Sequence, residues 1–175
     1  MVTITISGTP GSGKSTVAIL LEKKLGIRYI YSGMIFRELA EEHNMTLEEF
    51  GKYCEKNSEI DKKLDERQLE IMKKGDVILE GRLAGWLAYQ NNIPAFKVAL
   101  DTDLETRAGR IVKREKGSVA QRKKEIMERE RSEATRYKNY YNINVKDKSI
   151  YDIVIDSGDK TPEEIVDIII KKINR

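Results

Sequence analysis

The sequence predicts an α/β fold built on a doubly wound parallel sheet of five strands. Short apolar runs of strand length alternate with longer segments that place apolar residues at helical spacing. Strands separated by helices are typical of parallel sheets with right-handed crossover connections. The chain has 175 residues, 39% of them hydrophobic and 35% charged, which suits one domain with a sizeable core.

The elements of the first half follow from local signals. We predict strands at 2–7 and 28–31 and helices at 13–25, 32–42, 46–55 and 60–74. Gly26 and Gly75 end two of these helices, because glycine adopts the backbone conformation that follows a helix at little cost. Ser32 is the predicted N-cap of the second helix, and Thr46 with Glu49 forms a capping-box pattern.

The second half is predicted to contain three further strands, at 76–80, 95–100 and 151–155. Thr102 with Glu105 forms another capping-box pattern and starts a long helical region. Thr161, Pro162 and Glu164 supply an N-cap, a first-turn proline and a capping glutamate for the final helix.

The small number of cysteine and histidine residues limits which metal, disulfide and catalytic sites the chain can form. Cys54 is the only cysteine, so a disulfide framework or a cysteine metal site within one chain is excluded. His43 is the only histidine, and its polar surroundings are typical of a solvated helix end. No apolar run approaches the roughly 20 residues that span a membrane, and the N-terminus has no signal-peptide pattern. We therefore expect a cytoplasmic protein with no membrane partner.

The stretch GTPGSGKS at 8–15 matches the pattern G-x-x-x-x-G-K-[ST], between a predicted strand and a predicted helix. Its glycines let successive backbone N–H groups turn inward around a phosphate, and the positive end of the next helix faces the same anion. The predicted nucleotide-phosphate site comprises Gly8, Thr9, Pro10, Gly11, Ser12, Gly13, Lys14, Ser15 and Thr16. Lys14 is expected to reach the β- and γ-phosphates and Ser15 to ligate Mg²⁺, while Thr16 either touches the α-phosphate or packs locally.

Two motifs, YSGMIFR and LEGRLAGW, indicate a second anion site. A helix begins at Ser32, and Arg37 lies about one turn inside it, where it either binds a second phosphate through two hydrogen bonds or stays solvated. In the other motif Glu80 ends an apolar strand, Gly81 allows close backbone approach, and Arg82 points into the same crevice. Ligands collect at the carboxyl ends of parallel strands, so both motifs are placed beside the phosphate loop.

The segment 107–136 is strongly basic, and three interpretations of it are open. These are a solvated helix face, a nucleic-acid-binding patch, and a lid over a polyphosphate. Aromatic residues, which stack on single-stranded bases, are absent from it until Tyr137, and this disfavours nucleic acid. Helical spacing groups its key side chains into two faces: Arg110 with Arg114, and Arg129 with Glu133 and Arg136. Two arginine faces favour the lid, because phosphoryl transfer between two anions needs such a cage.

With these motifs the chain resembles the nucleoside monophosphate kinases, and within them the archaeal-type cytidylate kinases. The resemblance covers nearly the whole length and rests on GTPGSGKST, YSGMIFRELA, LEEFGKYCEKNSEIDKKLDERQ, LEGRLAGW, RIVKRE, R-x-x-x-E-x-x-R and SIYDIVID. It implies a phosphate-loop kinase fold with a short lid. It also implies transfer of a phosphoryl group from ATP, with Mg²⁺, to CMP and dCMP. The expected protein is a monomer without a nucleic-acid partner.

The resemblance also assigns site residues. Catalysis is assigned to Lys14, Arg114, Arg129 and Arg136. Arg110 is placed on the ATP base, and the loop 157–161 borders it. Acceptor binding is assigned to Ser32, Gly33, Phe36, Arg37, Gly81, Arg82 and Glu133. The chain departs from bacterial cytidylate kinases by carrying Glu80 and Glu133 in place of Asp, and residues that would read cytosine are not matched one by one.

The resemblance further implies a division of the single domain, 1–175, into three parts. The core is expected at 1–31, 75–112 and 138–175, an acceptor-binding helical region at 32–74, and the lid at about 113–137. The alternatives are another small-molecule kinase, acting on adenylate, uridylate or shikimate, or an RNA-binding ATPase or switch. A switch has no need of a second phosphate pocket, so YSGMIFR and LEGRLAGW argue against it.

Overall fold

The computed structural model describes residues 2–46, 49–50, 53 and 57–174. Within them, five strands form a parallel sheet in the order β2-β3-β1-β4-β5. The strands are β1 (Thr3–Gly8), β2 (Arg28–Tyr31), β3 (Val77–Glu80), β4 (Phe96–Asp101) and β5 (Ile153–Asp156). The predicted fold class is confirmed, and the strand that feeds the phosphate loop lies at the centre of the sheet.

Helices connect these strands, and seven are defined in the described residues. They are α1 (Lys14–Leu25), α2 (Ser32–Glu42), α3 (Ser58–Lys74), α4 (Ala84–Gln90), α5 (Leu104–Glu115), α6 (Val119–Tyr141) and α7 (Pro162–Ile173). The helix predicted at 46–55 falls mostly on residues outside the described ranges. Its capping contacts are present, since the Glu49 carboxylate accepts from the Thr46 N–H at 2.8 Å and the Glu49 N–H donates to the Thr46 hydroxyl at 3.2 Å.

The sequence patterns do not predict α4. This helix has seven residues, and the first five, Ala84 to Ala88, are buried. It therefore lacks the alternation of polar and apolar faces by which a helix is recognised in a sequence. The backbone N–H of Gly85 donates to the Ser7 hydroxyl at 3.1 Å. That contact joins the start of α4 to the end of β1.

Two of the predicted helix caps are wrong in position. The N-cap of α5 is Asp103, whose carboxylate accepts from the Thr106 N–H at 2.8 Å. Thr102 is instead buried directly after β4. The N-cap of α2 is Tyr31, without a side-chain cap, because extended β2 runs directly into the helix. The capping box of Thr161 with Glu164 is confirmed.

Apolar residues of alternating strand positions pack on the two faces of the sheet. Val77 and Leu79 contact a cluster under α2, α3 and α4, while Ile78 between them contacts a cluster under α1 and α7. A third, small cluster joins α5 to α6. None of the described helices is both long enough and apolar enough to cross a membrane.

Strand register brings the chemistry-bearing residues to one edge of the sheet. Glu80, the last residue of β3, is paired with Ile6 of β1 and with Tyr31 of β2. The phosphate loop leaves β1 at this edge, and α2 begins immediately after Tyr31. Residues far apart in sequence therefore meet around the start of α1.

Candidate active site

The phosphate loop takes a conformation that requires its glycines. Gly11 and Gly13 have φ angles of 79° and 88°, in the left-handed region. A Cβ on Gly11 would lie 2.7 Å from the carbonyl oxygen of Arg107, closer than carbon and oxygen approach without displacement. Glycine is therefore required at position 11 for two reasons: the loop packs closely against the backbone of α5, and its φ angle is one that other residues rarely adopt.

The start of α1 suits an anion. Its N-cap is Gly13, which has no side chain to accept from the first N–H groups of the helix, and its first turn contains no acidic residue. Unpaired N–H groups and the helix dipole together favour a negatively charged ligand at this position. The predicted phosphate site therefore has the backbone geometry that its chemistry needs.

Lys14 lies folded into the loop. Its ammonium donates to the carbonyl oxygen of Thr9 at 2.9 Å. Burial, together with the nearby charges of Arg82 and Arg129, lowers the pKa of Lys14 to about 8, although Glu80 opposes the shift. Removing an ammonium from water beside other cations disfavours its charge, so a phosphate ligand, which restores negative charge, would stabilise protonated Lys14.

Ser15 and Glu80 form an oxygen-rich corner beside this lysine. The Ser15 hydroxyl donates to the Glu80 carboxylate at 3.1 Å, and the Tyr29 hydroxyl donates to the other oxygen of the same carboxylate. Burial and the Glu80 contact raise the pKa of Tyr29, so its hydroxyl remains a donor. A hydroxyl and a carboxylate are ligands that Mg²⁺ accepts directly or through water, and this pair fits a nucleotide-bound Mg²⁺.

A polar cleft of about 250 Å³ lies over the loop. It is formed by the loop, the end of β3, the start of α2, the end of α5 and the side of α6 that carries Arg129. Its lining includes Lys14, Ser15, Thr16, Ser32, Glu80, Gly81, Arg82, Arg114 and Arg129. Four of these side chains are cationic, which gives the cleft the charge that a polyphosphate requires.

A second cavity of about 330 Å³ continues from this cleft between α1, α5 and α7. Val17, Ile111 and Ile165 form an apolar wall suited to a flat base. Arg110 lies at its edge, where its guanidinium donates to the carbonyl oxygen of Ser157 at 2.5 Å and to that of Gly11 at 3.4 Å. The structure thus brings to one cavity the loop after β5 and Arg110, the two groups that the resemblance assigns to the ATP base.

A third cleft, of about 350 Å³, lies on the other side of the phosphate cleft, between α2, α3 and α6. We call it the acceptor cleft. Its lining residues are Ser32, Gly33, Phe36, Leu64, Asp65, Gln68, Arg82, Leu83, Arg129, Glu133, Arg136, Tyr137, Tyr140 and Tyr141. Three residues, Ser32, Arg82 and Arg129, line both this cleft and the phosphate cleft. The two clefts therefore face each other across a short boundary.

Glu133 joins α6 to the residues just after β3 at that boundary. Its carboxylate pairs with Arg82 and accepts from Arg129 Nε at 3.0 Å. The Glu133 side chain is 9% exposed, whereas that of Arg129 is 64% exposed. Burial lowers the pKa of Arg82, and Glu133 opposes that shift. One buried carboxylate thus balances two arginines in this conformation.

The remaining predicted arginines have different positions. Arg136 lines the acceptor cleft and lies over the Tyr137 ring, 5.9 Å from its centroid. Arg37 is exposed, pairs with the Tyr31 hydroxyl and lies over that ring. It is not part of the lining of the acceptor cleft, and phosphate binding by Arg37 stays a prediction.

Several lining residues were not singled out from the sequence. Asp65 and Gln68 of α3 line the acceptor cleft. Tyr29 of β2 does not line it but contacts the site through Glu80, 51 positions away. The surroundings of Asp65 and Gln68 in sequence are charged and resemble a solvated face. The one signal in the sequence that points to this pair is Gln68, an uncharged residue at a position where the helical period faces the core.

Comparison with known proteins agrees with this geometry. The sequence model of a family described as cytidylate kinase-like matches residues 3–159. The chain belongs to that family. Among its curated relatives, the cytidylate kinase of Methanocaldococcus jannaschii is 46% identical over 95% of this chain and 94% of its own length. The cytidylate kinase of Pyrococcus horikoshii is 42% identical over 95% of this chain and 85% of its own length.

Solved structures extend the family likeness at the level of the fold. Shikimate kinase from Bacteroides thetaiotaomicron superposes with a TM-score of 0.67 at 14% identity and covers 99% of both chains. An uncharacterised protein from Eubacterium ventriosum gives 0.74 at 19% identity, again over 99% of both chains. The cytidylate kinase-like chain therefore shares the phosphate-loop kinase fold with enzymes whose acceptors differ.

Proposed function

We propose that this protein transfers the γ-phosphoryl group of ATP to CMP, and to dCMP, giving ADP and the corresponding diphosphate. One observation carries the proposal: the phosphate cleft and the acceptor cleft meet at Arg82 and Arg129. A hydrolase or a switch needs only the first cleft. Two anion-binding clefts that share their arginines suit transfer between two phosphates. The cytidylate kinases among the relatives support CMP as the acceptor.

The donor side is assigned to the phosphate loop and the cavity beside α7. Backbone N–H groups of Gly11, Ser12 and Gly13 would surround the β-phosphate, and Lys14 would leave the Thr9 carbonyl to bridge the β- and γ-phosphates. The base would enter the apolar cavity, against Arg110. Gly8, Thr9 and Pro10 set the path of the loop, and Thr16 lines both donor cavities.

Mg²⁺ would arrive with ATP and be held by Ser15 and Glu80. When bound, it supplies positive charge to the phosphate oxygens during transfer. Tyr29 keeps the Glu80 carboxylate turned toward Ser15 through its own hydrogen bond. Among the described residues no group of three His, Cys, Asp or Glu side chains gathers as a metal site of its own.

Transfer would proceed in line. An oxygen of the acceptor phosphate forms a bond to the γ-phosphorus while the bond from that phosphorus to the β-bridging oxygen breaks. The attacking oxygen is already ionised, so no general base is required. Lys14, Arg114 and Arg129 would neutralise charge spread over the transferred oxygens, and positioning supplies the rest of the rate enhancement.

The acceptor side is assigned to α2, the end of β3 and the lid. Ser32 and Gly33 open α2 at the cleft, and Phe36 lines its wall. Arg82 would bind the acceptor phosphate, with help from Arg136 and from Arg37 if α2 turns inward. Release of Arg82 from Glu133 would leave that carboxylate to accept from a ribose hydroxyl. Closure of the lid would exclude water, so ATP is not simply hydrolysed.

A substrate panel tests this function. ADP release from ATP is followed with CMP, dCMP, UMP, AMP and shikimate as acceptors. We expect the highest kcat/KM with CMP, and turnover of dCMP in the same active site. A preference for AMP or shikimate would overturn the assignment of the acceptor. RNA-stimulated ATP hydrolysis without any small acceptor would support the ATPase alternative instead.

A further inference from the structure

The acceptor cleft contains a polar pair that the reaction chemistry does not use. Asp65 and Gln68 lie one turn apart on α3 and both line the cleft. Gln68 is 3% exposed, and a buried side-chain amide is expected to have hydrogen-bond partners. Resting on the proposed function, we infer that Asp65 and Gln68 read the base of the acceptor nucleotide and select cytosine over uracil.

Contacts with neighbouring elements fix the orientation of this pair. The Gln68 amide nitrogen donates to the Asp65 carboxylate at 3.2 Å and to the Leu64 carbonyl oxygen at 3.5 Å. The Gln68 amide oxygen lies on the side of Gly81, where an added Cβ would be 3.2 Å away. The Tyr141 hydroxyl donates to the other oxygen of Asp65. Gln68 therefore presents its N–H side, and Asp65 its acceptor oxygens, to the same region.

The position of the pair suits a base whose phosphate lies at Arg82. Arg82 and Arg129 mark the end of the cleft that adjoins the phosphate loop, whereas Asp65 lies at the end where α3 meets Tyr141 of α6. Aromatic side chains form the walls between them. Phe36 is held by an edge contact with Phe50, with ring centroids 4.9 Å apart. A pyrimidine between Phe36 and Tyr137 would direct its polar edge toward α3.

The polar edges of the two pyrimidines differ in a way that this pair detects. Cytosine has an amino group at N4, which donates, and an unprotonated N3, which accepts. A carboxylate accepts up to about four hydrogen bonds, so Asp65 can accept from N4 while keeping its contacts with Gln68 and Tyr141. The Gln68 amide can donate to N3 in place of its long contact with Leu64.

Uracil reverses both positions. Its O4 would face the Asp65 carboxylate, and its N3–H would face the N–H side of Gln68. Two acceptors and two donors would oppose each other beside the buried Gln68 side chain, where unpaired polar groups are costly. Sites built to hydrogen-bond a substrate group reject a mismatched analogue strongly. Adenine has the same donor and acceptor pattern as cytosine, so this pair sets the choice between cytosine and uracil only.

Replacement of Asp65 by asparagine tests the inference. The Asp65→Asn side chain keeps its size and one acceptor oxygen for Tyr141, but adds an amide that can donate to O4 of uracil. We expect the ratio of kcat/KM for CMP to that for UMP to fall by about 10- to 100-fold. Glu66→Gln, an exposed change on the next residue of α3, is the matched control and should leave the ratio unchanged.

A substrate analogue gives a measurement on the unaltered protein. The 5′-monophosphate of the 2-pyrimidinone ribonucleoside has N3 but lacks the 4-amino group. The wild-type chain should use it about 10- to 100-fold less well than CMP, and Asp65→Asn should use the two more equally. Equal use by wild type, or an unchanged CMP-to-UMP ratio in Asp65→Asn with both rates lowered together, would overturn the inference and leave Asp65 a structural role. Absence of any CMP kinase activity in wild type would instead overturn the proposed function.

Discussion

The phosphate loop at 8–16 and the acceptor cleft between α2, α3 and α6 differ in what holds their polar groups in place. The loop is shaped by backbone geometry: two left-handed glycines, a close approach to α5, and the uncapped start of α1. The cleft is shaped by side chains that reach across the fold, such as Arg82 to Glu133 and Tyr141 to Asp65. A backbone-built half suits a phosphate chain whichever acceptor is used, whereas a side-chain-built half can be changed to suit one acceptor.

This difference accords with the structural neighbours. Shikimate kinases share the sheet and its helices at 14–20% identity, although their named acceptor is not a nucleotide. If the two halves work independently, their mutations should have separable effects. Changes in the loop should impair every reaction of the protein, and changes in the acceptor cleft should depend on which acceptor is supplied.

Replacement of Lys14 tests the donor half and carries the largest expected effect. Lys14→Ala removes the charge that bridges the β- and γ-phosphates, so kcat should fall by roughly 1,000-fold with every acceptor. Steady-state rates and a thermal unfolding curve measure activity and folding separately. Lys24→Ala, an exposed change on the same helix whose lysine pairs with Asp167, serves as the control. A fully active Lys14→Ala protein would refute the assignment of the loop.

Replacement of Arg82 tests the acceptor half. Arg82→Met removes the guanidinium shared by both clefts, and kcat/KM for CMP should fall by about 100-fold. The KM for ATP should change much less, because the loop and the base cavity stay intact. Arg28→Met, at the exposed start of β2, is the control. If the KM values for ATP and CMP rose together, the two halves would not be separable.

The pH dependence of kcat/KM for ATP tests one group of the phosphate loop, Lys14. Since the pKa of Lys14 in the free protein is about 8, kcat/KM for ATP should fall about tenfold per pH unit above that value. The phosphates of bound ATP raise this pKa, so kcat should begin to fall at higher pH. Lys14→Arg, whose guanidinium stays charged, should lose the alkaline decline. An identical alkaline limb in that variant would assign the titration to another group.

The same titration affects stability with the opposite sign. The pKa of Lys14 is lower in the folded chain than its ordinary value of 10.5, so the unfolded chain binds more protons between those two values. The contribution of this group to the free energy of unfolding therefore increases with pH from about 8 to 10.5.

The contact of Tyr29 with Glu80 gives the smallest expected effect. Tyr29→Phe keeps the ring but loses the hydroxyl that orients the carboxylate, so kcat should fall by about 3- to 10-fold and the Mg²⁺ concentration for half-maximal rate should rise. Tyr89→Phe, at a side chain that is 54% exposed, is the control. An unchanged Mg²⁺ dependence would show that Glu80 does not assist the ion.

The phosphate loop was predictable from sequence because its residues are contiguous. Glycine spacing, Lys14 and Ser15 fall within one loop between a strand and a helix, and the fold class follows from the same alternation of elements. The phosphate side of the acceptor cleft was predictable in part, since Arg82 and the face of Arg129 and Glu133 lie in recognisable motifs. Their mutual contact joins residues 51 positions apart, and no local pattern specifies it.

The base end of the acceptor cleft was not predictable. Asp65 and Gln68 lie in a helix whose neighbours are mostly charged, and their contacts with Tyr141 and with Gly81 come from distant parts of the chain. Asp65 meets Tyr141 from 76 positions away. The N-cap of α5 illustrates the same limit on a smaller scale: Thr102 and Asp103 both suit a cap, and burial of Thr102 directly after β4 decides between them.

The coupling of ADP release to CDP formation tests the central claim most directly. With saturating MgATP, both products are measured with and without CMP in the same reaction. Two facing anion sites predict that ADP forms in a one-to-one ratio with CDP and that its release nearly stops when CMP is omitted. Release of ADP at the same rate without CMP would contradict the account, because the acceptor cleft would then play no part in the reaction.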